Sequence, residues 1–359
     1  MLNRVIKCIT SLRLTVVCLG LGILLVFLGT LAQVNEGLFN AQARWFRSFF
    51  VWWGPQGAGW QIPVLPGGYL VGTVLLVNLI AAHIKRFQKT WKKLGIHITH
   101  AGIILLLLGQ LATDLLSRET QMSFAEGETR DFSVSSLHSE LVFITDAGDA
   151  EEVVSIPDRL LARGGEIKHE KLPFTIRVKR YHVNSDVRQR APMIDKDPPP
   201  ATAGSGPNVT LLPLPEAKTM DDRNAPAVIF ELVGAQGSLG TWLGQLKLRD
   251  QEISMGDKTW KMAFRFERHY EPFSVTLLKT THNVYPGTDI PKDFESRVRI
   301  NNPAKGERRE VDIYMNNPLR YAGLTFYQSR MDRDELDRSR GVSGLMVVRN
   351  PGWITPYAG

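Results

Sequence analysis

Two histidines, His97 and His100, stand in the run "KKLGIHITHAGIILLLLGQL", which opens an apolar stretch. A third, His83, closes an earlier apolar stretch two residues before Lys85. Imidazole is costly inside a membrane segment unless it lies at the rim or binds something. Counted from Lys93 along a helix, His97 lies about 6 Å and His100 about 10 Å in. Their i, i+3 spacing puts both on one face, and His83 reaches a similar depth from the neighbouring segment. All three can meet there, and neutral imidazole is a metal ligand. His100 is the deepest and is expected to bind. His97 is expected to support it or to line the entry. His83 is flanked by basic residues, so interfacial snorkelling suits it at least as well as ligation.

Little else in the chain has catalytic form. There is no GxSxG, HExxH, P-loop or dinucleotide-binding glycine pattern. His138, His169, His182, His269 and His282 are scattered over separate segments and read as surface residues. The two cysteines, Cys8 and Cys18, would sit about 15 Å apart on one helix, too far for a disulfide within the chain. No CxxC occurs, so thiol-redox and zinc roles have no support.

The elements that must hold the histidines are membrane helices. Residues 12–31, 68–84 and 94–116 are each long and apolar enough to span. The first is read as an uncleaved helix, because its apolar run is too long for a typical signal peptide. The loop 85–93, "KRFQKTWKK", has five basic residues and no acidic one. It is expected in the cytoplasm together with the N-terminus, which places 33–65 and everything after 117 outside. The outer loop carries Phe39, Trp45, Phe46, Phe49, Phe50, Trp52 and Trp53. Such a density suits a helix lying among headgroups, either as an anchoring belt or as a platform for a flat apolar ligand or partner helix.

The formal charge of +7 is modest and its densest piece is that inter-helix loop, so it reads as membrane topology and not as nucleic-acid binding. From residue 117 to 352 the pattern becomes short β-branched or aromatic runs such as "ELVFITD", "AVIFELVG" and "GLMVVRN" between turn residues. The fold class is therefore three N-terminal transmembrane helices followed by a large β-rich extracytoplasmic domain, sandwich or barrel-like. The Pro- and Gly-rich stretch 195–208 marks a mobile insertion spanning about 190–225. "RMDRDELDRSR", from residue 330, reads as an exposed loop.

Several motifs resemble the ResB family of System II cytochrome c biogenesis proteins. They are Gly29-Thr30-Leu31-Ala32-Gln33, His100-Ala101-Gly102, Phe273-Ser274-Val275-Thr276-Leu277 and Asp293-Phe294-Glu295-Ser296-Arg297-Val298. The most specific is Asn317-Pro318-Leu319-Arg320-Tyr321-Ala322-Gly323, running into Phe326-Tyr327-Gln328-Ser329. The resemblance extends from about residue 10 to the end. Family members continue into a last transmembrane helix, so residues 353–359 are expected to be its start, the remainder missing or encoded elsewhere.

The resemblance implies a role in the bacterial cytoplasmic membrane, with the large domain on the periplasmic side. The partner would be a tryptophan-rich polytopic protein of the ResC/CcsA type. Together they would carry haem b, as a transient substrate, across the membrane for covalent attachment to apocytochrome c. His100, then His97, then His83 would be the haem ligands, with iron held through His100. Asn317, Pro318, Leu319, Tyr327 and Gln328 would form a structural motif. The chain lacks the tryptophan-rich signature, so it is expected to have no catalytic activity alone and to act within a cytochrome c synthase complex. Two other readings stay open: a b-type cytochrome subunit of a respiratory complex, and a non-catalytic envelope scaffold.

Overall fold

The computed structural model describes residues 2–359 apart from 56–58, 89, 147, 149, 192, 218–222, 256–257, 288–290, 334–336 and 338–339. The described chain forms two compact units, one of residues 2–118 with 349–359, the other of 119–217 with 223–348.

The first unit is helical. A short α1 (Leu2–Ile9) precedes α2 (Leu12–Glu36), whose N-terminus is capped by the Ser11 hydroxyl accepting from the Leu14 N–H. Three helices are long and apolar enough to cross a membrane. They are α2, α4 (Gly68–Arg86) and α5 (Leu94–Leu116), the last with the predicted bounds. Inside the unit Asn78 of α4 is buried; its amide donates to the carbonyls of Ile9 and Ser11 and accepts from the Thr15 hydroxyl at 2.6 Å. A polar side chain in an apolar bundle must be satisfied this way, and here it ties α4 to the start of α2. Lys85 and Arg86 add bonds to the Thr10 hydroxyl and carbonyl, at 3.1 and 3.3 Å.

The aromatic loop departs from the single interfacial helix expected of it. It begins as α3 (Leu38–Ala41), widens into a π-helical turn over Gln42–Phe46, and then becomes a hairpin, β1 (Phe50–Trp53) with β2 (Ile62–Pro66). Phe50, Trp52 and Trp53 therefore sit on a strand, as β-branched and aromatic residues prefer. Glycines make the close packing possible. A Cβ on Gly68 would lie 2.5 Å from the Phe46 carbonyl oxygen, and one on Gly29 would lie 2.8 Å from the Phe46 ring. At the other end of the chain, a four-residue α7 (Thr355–Ala358) packs along α5, where Gly109 makes room for Thr355.

The second unit is antiparallel β. Its large sheet has the strand order β15–β14–β13–β4–β3–β18–β17–β16, with β5 also on β4 and β12 also on β13. The strands are β3 (Arg118–Ala125), β4 (Thr129–Asp146), β5 (Glu151–Pro157), β12 (Gln251–Met255), β13 (Lys258–Val284), β14 (Pro291–Asn302), β15 (Glu307–Tyr314), β16 (Leu319–Tyr321), β17 (Leu324–Arg333) and β18 (Gly341–Arg349). A four-stranded sheet in the order β11–β10–β7–β6 uses β6 (Gly165–Ile167), β7 (Thr175–His182), β10 (Ala227–Gly234) and β11 (Gly237–Gln245). A separate pair joins β8 (Ser185–Gln189) to β9 (Val209–Pro213).

Two cores follow from this layout. In one, Phe230 and Leu232 of the small sheet and Leu161 of α6 (Asp158–Arg163) pack on Leu141, Phe143, Trp260 and Met262 of the large one, as in a sandwich. In the other, Phe273, Val298 and Ile313 meet Leu324, Phe326 and Leu345, so the large sheet curls over its own face, as in a barrel. Within 190–225, expected as a mobile insertion, β9 follows the stretch 195–208, which forms only a 3-10 turn at Gly206–Asn208, and Ala201 is buried. Arg330–Arg333 of the expected exposed loop belong to β17, and 334–336 with 338–339 lie outside the described residues.

Candidate functional site

The connection between α4 and α5 is short, so the last turn of α4 and the first turns of α5 lie side by side. His83 comes from the former, His97 and His100 from the latter, and all three meet. The His83 ring centroid is 5.1 Å from that of His97, edge to face, and 5.8 Å from that of His100. Phe87, just beyond α4, covers His97 at 4.6 Å and His83 at 5.9 Å.

Hydrogen bonds decide what each ring can offer. His100 Nδ1 lies 2.7 Å from the Ile96 carbonyl oxygen. A carbonyl only accepts, so Nδ1 carries the proton and the neutral ring presents a bare Nε2 lone pair, the form that ligates a metal. A backbone acceptor on the far nitrogen also fixes the ring and raises its donor strength. His97 is the opposite tautomer: Nε2–H donates to the Gln88 carbonyl at 3.0 Å, and its Nδ1 is buried with no partner. Among the described residues no three His, Cys, Asp or Glu side chains come together to hold a metal ion.

His138 pairs with Asp158 at 3.4 Å and His282 packs on Phe294. The late motif has a different character. Asn317 closes a turn by donating its N–H to the Tyr314 carbonyl at 3.0 Å, with Asn316 in the left-handed region at φ 63°. Pro318 follows, and Leu319 starts β16, so the turn enters β16 first. "LTFYQS" comes only after a two-residue hairpin turn at Ala322 and Gly323, both with positive φ, as a type I′ turn requires. Leu319 is buried. Tyr321 is buried against Phe273, its hydroxyl accepting from Asn302 at 3.0 Å and donating to Glu307 at 2.8 Å. The Gln328 amide accepts from the Ser296 hydroxyl at 2.7 Å and donates to the Arg330 carbonyl at 2.9 Å. Tyr327 is exposed. These residues satisfy buried polar groups and shape turns, which is structural work.

Residues 227–343 match the model of the ResB-like family. This stretch is ResB-like. Protein NrfI of Wolinella succinogenes is 38% identical to the chain over 112 residues, which is 31% of this chain and 12% of NrfI. The chain thus aligns with about an eighth of that relative's length. The ResB-like segment runs from the start of β10 into β18 and contains the turn motif, Ser296 and Gln328.

One cluster in the helical unit escaped the sequence reading. Asp114, near the end of α5, is held by Arg47 at 2.7 Å and by the Tyr69 hydroxyl. The signal was present: Asp114 is the one acidic residue in the apolar segment 94–116, and such a residue points to function by default.

Proposed function

We propose that this chain is a membrane subunit of a cytochrome c biogenesis system. With a tryptophan-rich polytopic partner it passes haem b across the cytoplasmic membrane for covalent attachment to an apocytochrome c outside. The observation that carries this reading is His100: its Nδ1 is committed to a backbone carbonyl, which leaves Nε2 as the ring's free nitrogen, and it lies beside further imidazoles in a chain with a ResB-like segment. His100 Nε2 would donate to haem iron. His97 and Phe87 would border the apolar face of the ring, and His83 would stand at the rim. The basic loop supports a cytoplasmic position for this cluster, and hence entry of haem from that side.

The test is co-expression with the partner, purification of the complex and a pyridine haemochrome spectrum. His100→Ala should remove most bound haem and abolish cytochrome c maturation, with added imidazole restoring part of both. His97→Ala should lose less, and His83→Ala least, because a shallower group has water and headgroups as an alternative. Normal haem in all three variants would place the haem site on the partner and end this reading.

A further inference from the structure

At the end of the helical unit opposite the histidines, α2, α4, α5 and the π-helical turn border a half-open cavity of about 560 Å³. That is within the range of small-molecule sites, about 300–1,000 Å³. Its walls are apolar where Leu76, Leu107 and Leu111 face it, and aromatic at Phe46 and Tyr69. Three primary amides project into it, Gln33 from α2, Gln42 from the π-helical turn and Gln110 from α5. None of the three amide side chains makes a hydrogen bond within the described residues. Gln42 is half-buried and Gln33 and Gln110 are exposed, so all three amides can turn to bond a polar occupant of the cavity.

The chemistry of that occupant can be narrowed. The lining has one cation, Arg47, and one anion, Asp114, and they are paired with each other. A phosphate or carboxylate head would find no free positive charge and would face the Asp114 carboxylate. No His, Cys or Met lines the cavity, so it offers haem iron no axial donor. What fits is an uncharged head with oxygen atoms on two sides, a flat ring for Phe46 and Tyr69, and an apolar tail. Amides both donate and accept, so donors on separate walls can meet two carbonyls, and the same groups can turn to meet two hydroxyls.

We propose that this cavity binds a membrane quinone, in either its quinone or quinol form. The proposal does not rest on the haem reading, because the cavity and the histidine cluster share no residue. A ready blocking variant exists. Gly72 lines the cavity, and a Cβ built there meets nothing within 4 Å, so a larger side chain would fill the space without striking the backbone.

The experiment uses the full chain in phosphatidylcholine nanodiscs, titrated with a radiolabelled short-chain ubiquinone and a short-chain menaquinone analogue. Saturable binding of at least one, at one per chain and displaced by unlabelled ligand, is expected. Gln110→Leu and Gln33→Leu should each weaken it about tenfold, the scale of one buried hydrogen bond. Gly72→Leu should abolish it while melting temperature stays at the wild-type value. Binding that is unsaturable in the wild-type chain, or that survives Gly72→Leu, overturns the proposal. So does native mass spectrometry showing a phospholipid that quinone fails to displace.

Discussion

At His138 the β-rich unit carries a contact whose strength depends on protons. Its hydrogen bond to Asp158, reinforced by that carboxylate's charge, holds the imidazole pKa above its ordinary value of about 6.5, against the opposing effect of burial. Burial pushes the Asp158 carboxyl up, yet the His138 bond and the Ser139 backbone N–H, at 2.9 Å, together bring it below the usual carboxylate value of about 3.9. The raised imidazole stabilises fully below about pH 6.5 and loses this as pH climbs through its folded pKa. The depressed carboxyl stabilises above about pH 3.9 and loses this as pH falls through its folded pKa. The pair is therefore worth most between about pH 4 and 6.5. Thermal melts of the full chain should show His138→Gln lowering Tm more at pH 5.5 than at pH 8. An equal loss at both would mean that His138 contributes packing alone.

Between elements, the joint of β4 with β13 holds a buried charge. Glu140 and Arg265 face each other in register, with Arg265 Nε 2.8 Å from the carboxylate and the Ser155 hydroxyl donating to its other oxygen at 2.5 Å. Arg265→Met strands that carboxylate and should cost about 3–5 kcal/mol. Adding Glu140→Leu should recover much of it, since removing both partners restores a neutral interior. Denaturant titration of the single and double variants decides this; a double variant no more stable than the single would refute the stranded-charge account. The same joint shows where the sequence was legible. The runs "WKMAFRFERHY" and "FSVTLLKTT" each have strand-forming composition, and Glu271-Pro272 stands between them. The chain runs through as one strand because Pro272 falls in a register shift between Tyr270 and Val275, where no ladder donor is needed. The three apolar helices were legible because length and hydropathy suffice for them. The histidine cluster was legible from spacing and from the helix reversal. The cavity was not, because Gln33, Gln42, Gln110 and Tyr69 come from separate elements whose faces only packing brings together.

For the whole molecule the membrane reading has a direct check. A reporter active only in the cytoplasm should work when fused after Lys93, and one active only outside should work after Ala125. The reverse pattern would invert the direction in which haem is proposed to travel. The reach of β13 has a consequence in time. Its first half supplies Trp260, Met262 and Phe264 to one core, and its second half supplies Phe273, Val275 and Leu277 to the other. β4 must wait for it across roughly 110 residues of chain. At ~5–20 residues per second, synthesis leaves one edge of β4 unpaired for on the order of ten seconds. Until β13 arrives neither core can close, so the nascent domain has an open strand edge that invites misassociation. Non-local pairing of this kind also slows the final collapse. Once made, the shared strand couples the two cores, so loss of either exposes a strand the other depends on.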